Sequence, residues 1–129
     1  MTDEPHWLNR AVVDAIHDEQ LREHGGRAGL RDDGLLESAL AAPEQRFAYE
    51  EVGLFEPAAT YAHRIARNHP FIDGNKRTAF LAAYTFLGLN DYRLDASEED
   101  ATAKTLALAA GEIDAGAYAD WLRETSVPR

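Results

Sequence analysis

The chain has 129 residues, of which 45 % are hydrophobic, and a formal net charge of −10. Its length predicts one domain over residues 1–129, and its charge argues against a nucleic-acid surface, which needs a clustered basic footprint. The absence of cysteine excludes disulfides and thiolate sites. Because no apolar run approaches the roughly 18 residues of a membrane span and no signal peptide opens the sequence, we expect a cytoplasmic protein without membrane contact.

Hydrophobic periodicity predicts an all-α fold, a compact bundle of about six helices. Pro43 is expected to end the second helix, since proline interrupts a helix interior. The fourth helix is apolar nearly all round, which indicates a central, buried position. The predicted helices span residues 8–24, 34–42, 57–68, 75–89, 98–110 and 115–125.

Two features of the N-terminal half allow more than one interpretation. His17 and His24 share a helix face, but no third ligand lies near them in sequence, so we interpret them as surface or half-buried histidines rather than metal ligands. Residues 43–55 carry Phe47, Tyr49 and Phe55 among glutamates. We expect an ordered loop or short helix there that covers the core; the alternative is a loop that docks a nucleotide base or a peptide of a partner.

Residues 69–77 concentrate the groups that handle phosphate. Pro70 disfavours helix just before it, and Gly74-Asn75 allows a tight turn, so a new helix should begin near Asn75 or Lys76. The first amides of a helix lack intrahelical acceptors and carry the positive end of its dipole, which makes this junction an anion site. The net charge of residues 60–80 is +3 in an otherwise acidic chain, which favours a small anionic ligand such as a nucleotide.

The side chains of this segment match the roles that phosphate transfer needs. His69 can take a proton from an attacking hydroxyl at neutral pH, and Asp73 offers a hard oxygen for Mg²⁺ beside a phosphate. Lys76 and Arg77 would neutralise charge on the transferred group. Arg67 either faces the same pocket or is simply solvated. Taken singly, each residue has an ordinary structural explanation, but together they indicate an active site.

The string His69-x-Phe71-x-Asp73-Gly74-Asn75-Lys76-Arg77 resembles the signature of the Fic/Doc family, and more closely its Doc (death on curing) toxin branch. Fic adenylyltransferases usually have glycine where this chain has Lys76, and an arginine where it has Phe80. The likeness extends through Gly25-Gly26 and segments 47–50 and 110–113. It implies an all-α fold with the active-site loop at the start of a central helix.

The resemblance implies a toxin that acts as a protein kinase with ATP and Mg²⁺. His69, Asp73, Lys76 and Arg77 would be catalytic, and Asp73 would hold the metal. The nucleotide-binding residues would be Gly74, Asn75, Lys76, Arg77 and Arg67. Lysine at position 76 favours transfer of the γ-phosphate to a Ser or Thr hydroxyl, and the implied protein substrate is elongation factor Tu.

The implied partner is a Phd-like antitoxin. The sequence lacks the Ser/Thr-x-x-x-Glu-Gly/Asn helix with which many Fic proteins inhibit themselves, so restraint should come from outside. We expect its binding groove near residues 43–67. Two alternatives stay open: a Fic-type protein adenylyltransferase, and a non-catalytic binding or regulatory module. The intact His69 and Asp73 weigh against the second.

Overall fold

The computed structural model describes residues 4–129 and has six α-helices and two short strands in that range. The elements are α1 (Arg10–His24), α2 (Asp33–Tyr49), α3 (Phe55–Asn68), α4 (Asn75–Leu89), β1 (Tyr92–Leu94), α5 (Glu98–Ala110), α6 (Ala115–Thr125) and β2 (Ser126–Pro128). The all-α prediction with about six helices is confirmed. The predicted domain of residues 1–129 includes residues 1–3, which lie outside the described range, and it stays a prediction.

Local sequence signals explain where most helices begin. In four of them a side-chain oxygen of the preceding residue accepts a hydrogen bond from a backbone N–H of the first turn, which satisfies one of the unpaired amides there. These capping residues are Asn9, Asp32, Ser97 and Asp114. In α4, by contrast, Gly74 precedes the first residue and no side chain of the described range caps the helix. The first amides of α4 therefore have no side-chain acceptor among residues 4–129.

The second helix is longer than the sequence predicts, because it continues through Pro43 to Tyr49. A proline inside a helix removes one hydrogen bond and costs about 3 kcal/mol. Pro43 is fully buried, and one turn later the ring of Phe47 packs edge-on against Trp7 at 5.6 Å. The full burial of Pro43 and the partial burial of Phe47 offset the cost. Only residues 50–54 then remain as a loop before α3.

The packing of α3 against α4 forms the centre of the molecule. Small side chains let the two helices approach closely, and Tyr61 of α3 contacts Phe86 of α4 with ring centroids 5.4 Å apart. The buried alanines of this interface region are Ala58, Ala59, Ala62, Ala66, Ala79, Ala82 and Ala83. The loop of residues 69–74 joins these two helices, so both of its ends are anchored in the core. Among residues 4–129, none of the helices is long and apolar enough to cross a membrane.

The two strands pair antiparallel, with Arg93 opposite Val127. They tie the chain after α4 to its C-terminal end, beside α6. Each strand has three residues, which is too short to leave an alternating pattern in the sequence.

Candidate active site

The loop of residues 69–74, called here the α3–α4 loop, turns sharply at both ends. His69 ends α3 in the left-handed region, with φ 51° and ψ 62°, and Gly74 precedes α4 with φ 82°. Glycine adopts this conformation without strain, whereas a residue with a side chain pays about 1–2 kcal/mol. The side chain of His69 is exposed. The neighbouring structure must therefore hold the backbone of His69 in place.

A second loop, residues 25–32, lies alongside the α3–α4 loop and pairs with it through backbone hydrogen bonds. The N–H groups of Arg31 and Asp32 both donate to the carbonyl of Pro70, at 2.7 and 3.0 Å. The N–H of Ile72 donates to the carbonyl of Gly29 at 3.1 Å. These bonds give the α3–α4 loop a fixed backbone path, although it belongs to no regular element.

Asn75, the first residue of α4, holds the same loop from the other side. Its buried side-chain amide accepts a hydrogen bond from the N–H of Phe71 (3.0 Å) and donates one to the carbonyl of Phe71 (2.9 Å). The Asn75 side chain thus binds the loop backbone through both its oxygen and its nitrogen. The backbone N–H of Asn75, at the start of α4, has no side-chain acceptor within the described range.

His17 of α1 supports the loop from beneath. Its ring is 3 % exposed and stacks on Phe71 with centroids 3.8 Å apart and planes 11° apart. Its Nε2 lies 2.7 Å from the backbone carbonyl oxygen of Asp73 and donates to it. The interpretation of His17 as a surface or half-buried residue was therefore wrong, and its packing partners explain why it is buried. Phe71 itself is 2 % exposed and anchors the loop in the core.

Asp73 presents one carboxylate oxygen to solvent. Its Oδ2 accepts a hydrogen bond from the backbone N–H of Arg27 at 2.8 Å, and Oδ1 has no hydrogen-bond partner among residues 4–129. Gly26, at φ 120°, must be glycine here, because a Cβ would lie 3.2 Å from Cβ of Asp73 and 3.0 Å from Leu21. Mg²⁺ in nucleotide sites is commonly held by one or two carboxylates together with substrate phosphates. A carboxylate of an exposed residue, with one oxygen unpaired within the described range and close in sequence to the start of α4, fits that donor set.

Lys76 and Arg77 project from the first turn of α4 and are both exposed. Nη1 of Arg77 lies 2.9 Å from Nε2 of His24, near the end of α1. Both cations line a cavity of about 880 Å³ between α1, α4 and α5, whose wall includes Phe80 and Tyr84. His69 and Asp73 are not among the residues that line it. The site thus has an imidazole and a carboxylate on the loop, and cations shared with a neighbouring cavity.

Similarity to known proteins identifies the family of this chain. Residues 7–87 match the model of the Fic/DOC family. This chain belongs to the Fic/DOC family. It is 42 % identical over 110 residues to Protein kinase doc of Escherichia phage P1, covering 84 % of this chain and 86 % of that protein. It is 45 % identical over 76 residues to Toxin Doc of Mycolicibacterium smegmatis, covering 56 % and 57 %.

The resemblance seen in residues 69–77 is therefore confirmed, and the matched span includes the whole α3–α4 loop. It also includes the supporting residues that sequence reasoning missed. Arg31 and His17 are 38 and 56 residues away from the loop positions that they contact. No local pattern in the sequence signals such contacts.

Arg67, expected to face the pocket of this Fic/DOC site, lies elsewhere. Its Nη1 donates to the carbonyl of Ala109 at 3.2 Å, at the C-terminal end of α5. Gly111, which ends α5, leaves room for the guanidinium, since a Cβ there would lie 2.6 Å from Nη1. A cation at a helix C-terminus is favoured by the helix dipole. The structure therefore places Arg67 in contact with α5 and not with the α3–α4 loop.

The region expected to bind a partner, residues 43–67, contains a depression of about 570 Å³ between α2 and α3. Of the three aromatic side chains in residues 43–55, that of Tyr49 is 87 % exposed at this depression. Phe47 packs on Trp7, and Phe55 packs on Tyr92 with ring centroids 5.1 Å apart. Burial lowers the pKa of His63, which also lines the depression, and the nearby guanidinium groups of α3 lower it further.

Proposed function

We propose that this Fic/DOC protein is a Doc-type toxin and a protein kinase that transfers the γ-phosphate of ATP to a Ser or Thr hydroxyl of another protein. The observation that carries the proposal is the position of Lys76, an exposed cation in the first turn of an uncapped helix, beside a large cavity. The names of the relatives, Protein kinase doc and Toxin Doc, support it.

The chain supplies a separate group for each requirement of phosphoryl transfer, which depends chiefly on positioning and charge neutralisation. His69 accepts the proton of the attacking hydroxyl, and its exposure lets a protein substrate reach it. The first amides of α4, with Lys76 and Arg77, bind phosphate oxygens. Asp73 would hold Mg²⁺, which would supply further positive charge beside the phosphates.

The cavity favours one orientation of the nucleotide. Of the described residues that line it, only Lys76 and Arg77 carry a permanent positive charge, whereas the wall formed by α1 includes Glu19 and Glu23. Phosphates are therefore favoured where α4 begins, and the nucleoside is favoured against Phe80 and Tyr84. His69 lies outside the cavity, so transfer from this orientation requires the triphosphate to extend from the cations toward His69. Transfer of AMP would instead require the α-phosphate at His69.

The experiment that tests this function supplies ATP labelled on either the α- or the γ-phosphate to the protein with its substrate. We propose elongation factor Tu as that substrate, in the cytoplasm, as the family resemblance implies. Label from the γ-phosphate should appear on the substrate, mass spectrometry should show one added phosphate, and His69→Ala should lower the rate of this transfer by about 10²–10⁴-fold. Appearance of α-label with a matching AMP mass would contradict the kinase proposal and favour an adenylyltransferase. No label from either position would favour a non-catalytic module.

We further propose that a Phd-like antitoxin restrains the toxin by binding the depression near residues 43–67, with Tyr49 as an aromatic anchor. A buried aromatic anchor typically contributes about 2 kcal/mol or more, so Tyr49→Asp should weaken antitoxin binding by about 30-fold. Tyr84→Asp, in the cavity between α1, α4 and α5, is the matched variant. Weakening by Tyr84→Asp alone would place the antitoxin in that cavity instead.

A further inference from the structure

Arg31 contacts three consecutive backbone carbonyls at the point where α3 ends. Its Nε donates to the carbonyl of His69 at 2.6 Å, and its Nη2 donates to the carbonyl of Asn68 at 2.5 Å. Its backbone N–H donates to the carbonyl of Pro70 at 2.7 Å. A guanidinium presents its donors in a rigid fork, so one side chain can fix two adjacent peptide groups at once.

These contacts matter because the imidazole of His69 has no hydrogen bond or salt bridge of its own within residues 4–129. The direction of that side chain depends on the backbone of His69, which is held in the strained left-handed region. The last carbonyls of a helix have no intrahelical donor and carry partial negative charge, so a cation stabilises them. Arg31 supplies that cation at the residue whose conformation needs support.

We propose that Arg31 is a positioning residue for His69, which fixes the backbone of residues 68–70 so that the imidazole faces the attacking hydroxyl. The inference rests on the proposed role of His69 as the base. Arg31 acts through the main chain and not on the nucleotide, because two of its side-chain nitrogens are already committed to carbonyls. A misplacement of about 1 Å in a reacting group can cost on the order of 10²-fold in rate.

The test is a double-mutant cycle on the rate of transfer in a single turnover. Arg31→Gln should lower that rate by about 10- to 100-fold while leaving the affinity for ATP within about twofold. In the His69→Ala background, Arg31→Gln should cause no further loss, because two groups that act as a unit are non-additive. Arg31→Lys, which keeps the charge but not the fork, should recover part of the rate. Arg22→Gln is the control, because Arg22 is an exposed arginine of α1 whose side chain makes no hydrogen bond or salt bridge among the described residues.

Three results would overturn the inference. An equal loss in the wild-type and His69→Ala backgrounds would show that Arg31 acts independently of the base. A large loss of ATP affinity in Arg31→Gln would show a contact with the nucleotide. A rate in Arg31→Gln equal to that of the wild type would show that the contacts are not needed. If Arg31→Gln does not fold, Arg31→Lys, checked by thermal unfolding, takes its place in the cycle.

The outcome separates this inference from the proposed function. When the ATP carries label on both the α- and the γ-phosphate, the assay detects transfer of phosphate as well as transfer of AMP. Coupling between Arg31 and His69 can therefore be measured whichever group is transferred. Full activity of a folded His69→Ala variant would instead show that His69 is not the base. That result would refute the proposed mechanism regardless of the role of Arg31.

Discussion

His69 and Lys76 lie seven positions apart, but the molecule holds them in different ways. The backbone around His69 is fixed by Arg31 and by the neighbouring loop, and Asn75 and His17 hold the residues that follow it. Lys76 projects into solvent from a helix end without a side-chain cap. The proposed base, His69, thus stands on a preorganised backbone, whereas Lys76 is able to adjust to a ligand.

This difference matches the two tasks that we propose for the site. Catalysis by a base needs a fixed geometry, and a rigid backbone supplies it before the substrate arrives. Cations at a helix N-terminus oppose the helix dipole by about 0.3–1 kcal/mol. A bound anion offsets this unfavourable energy at Lys76 and Arg77. The base half of the site should therefore control the rate, and the cation half should control affinity for the nucleotide.

The largest expected effect comes from removing the base. His69→Ala should lower transfer by about 10²–10⁴-fold, the typical contribution of a general base, while stability changes little because the side chain is exposed. The measurement is the initial rate of label transfer from ATP. His6→Ala, another exposed histidine, is the matched control. A folded His69→Ala variant with normal activity would refute the assignment.

A smaller effect is expected from Asp73→Asn, which keeps the shape of the side chain but loses its charge. Metal affinity should fall, so activity at limiting Mg²⁺ should drop on the order of 10²-fold and recover in part as Mg²⁺ is raised. Rates measured across a Mg²⁺ titration check this. Asp18→Asn, at an exposed position of α1, should leave the titration unchanged. If Asp73→Asn works equally well with magnesium chelated, the carboxylate is a structural group only.

Breaking the support of the loop should destabilise the protein. Asn75→Ala leaves the buried N–H and carbonyl of Phe71 without their partner, at about 1–3 kcal/mol for each group. The melting temperature should then fall on the order of 10 °C. Asn68→Ala, whose side chain makes no hydrogen bond within the described range, is the comparison in a thermal-unfolding experiment. Equal melting temperatures for the two variants would show that the amide of Asn75 does not hold the loop.

The smallest expected effect is on the pH dependence of stability, and it involves His63, which lines the depression between α2 and α3. Burial lowers the pKa of His63; Arg64 and Arg67 lower it further, and Asp114 opposes them. The unfolded chain therefore takes up a proton first as pH falls through about 6.5, so the folded state loses stability below that pH. Urea unfolding between pH 5 and pH 8 should show a flatter dependence for His63→Gln than for the wild type. Identical curves would contradict a lowered pKa of the half-buried His63.

Much of the fold follows from local signals, and the exceptions have physical reasons. The last two helices have the predicted bounds, because Ser97 and Asp114 cap their first turns and Gly111 ends α5. The end of α2 was predicted wrongly at Pro43, since the local penalty for proline is outweighed by burial of residues around it. Burial in the core depends on distant contacts that a local pattern does not contain.

The residues of the candidate site also divide into those that local sequence reveals and those that only distant contacts bring together. The groups on the loop itself are contiguous, so their spacing was visible in residues 69–77. Arg67 is close to His69 in sequence but contacts α5, whereas Arg31 is distant in sequence and contacts the carbonyl of His69. Closeness in sequence therefore does not identify the cation that supports a loop, because successive side chains of a helix point in different directions.

The division between a rate-controlling base and affinity-controlling cations is tested most directly by calorimetric titration of Mg-ATP into His69→Ala and Lys76→Gly. We predict that His69→Ala binds ATP within about threefold of the wild-type affinity. Lys76→Gly should bind about tenfold more weakly, or worse, since a charged hydrogen-bonding partner is lost. An equal loss of affinity in both variants, or a loss in His69→Ala alone, would contradict the account.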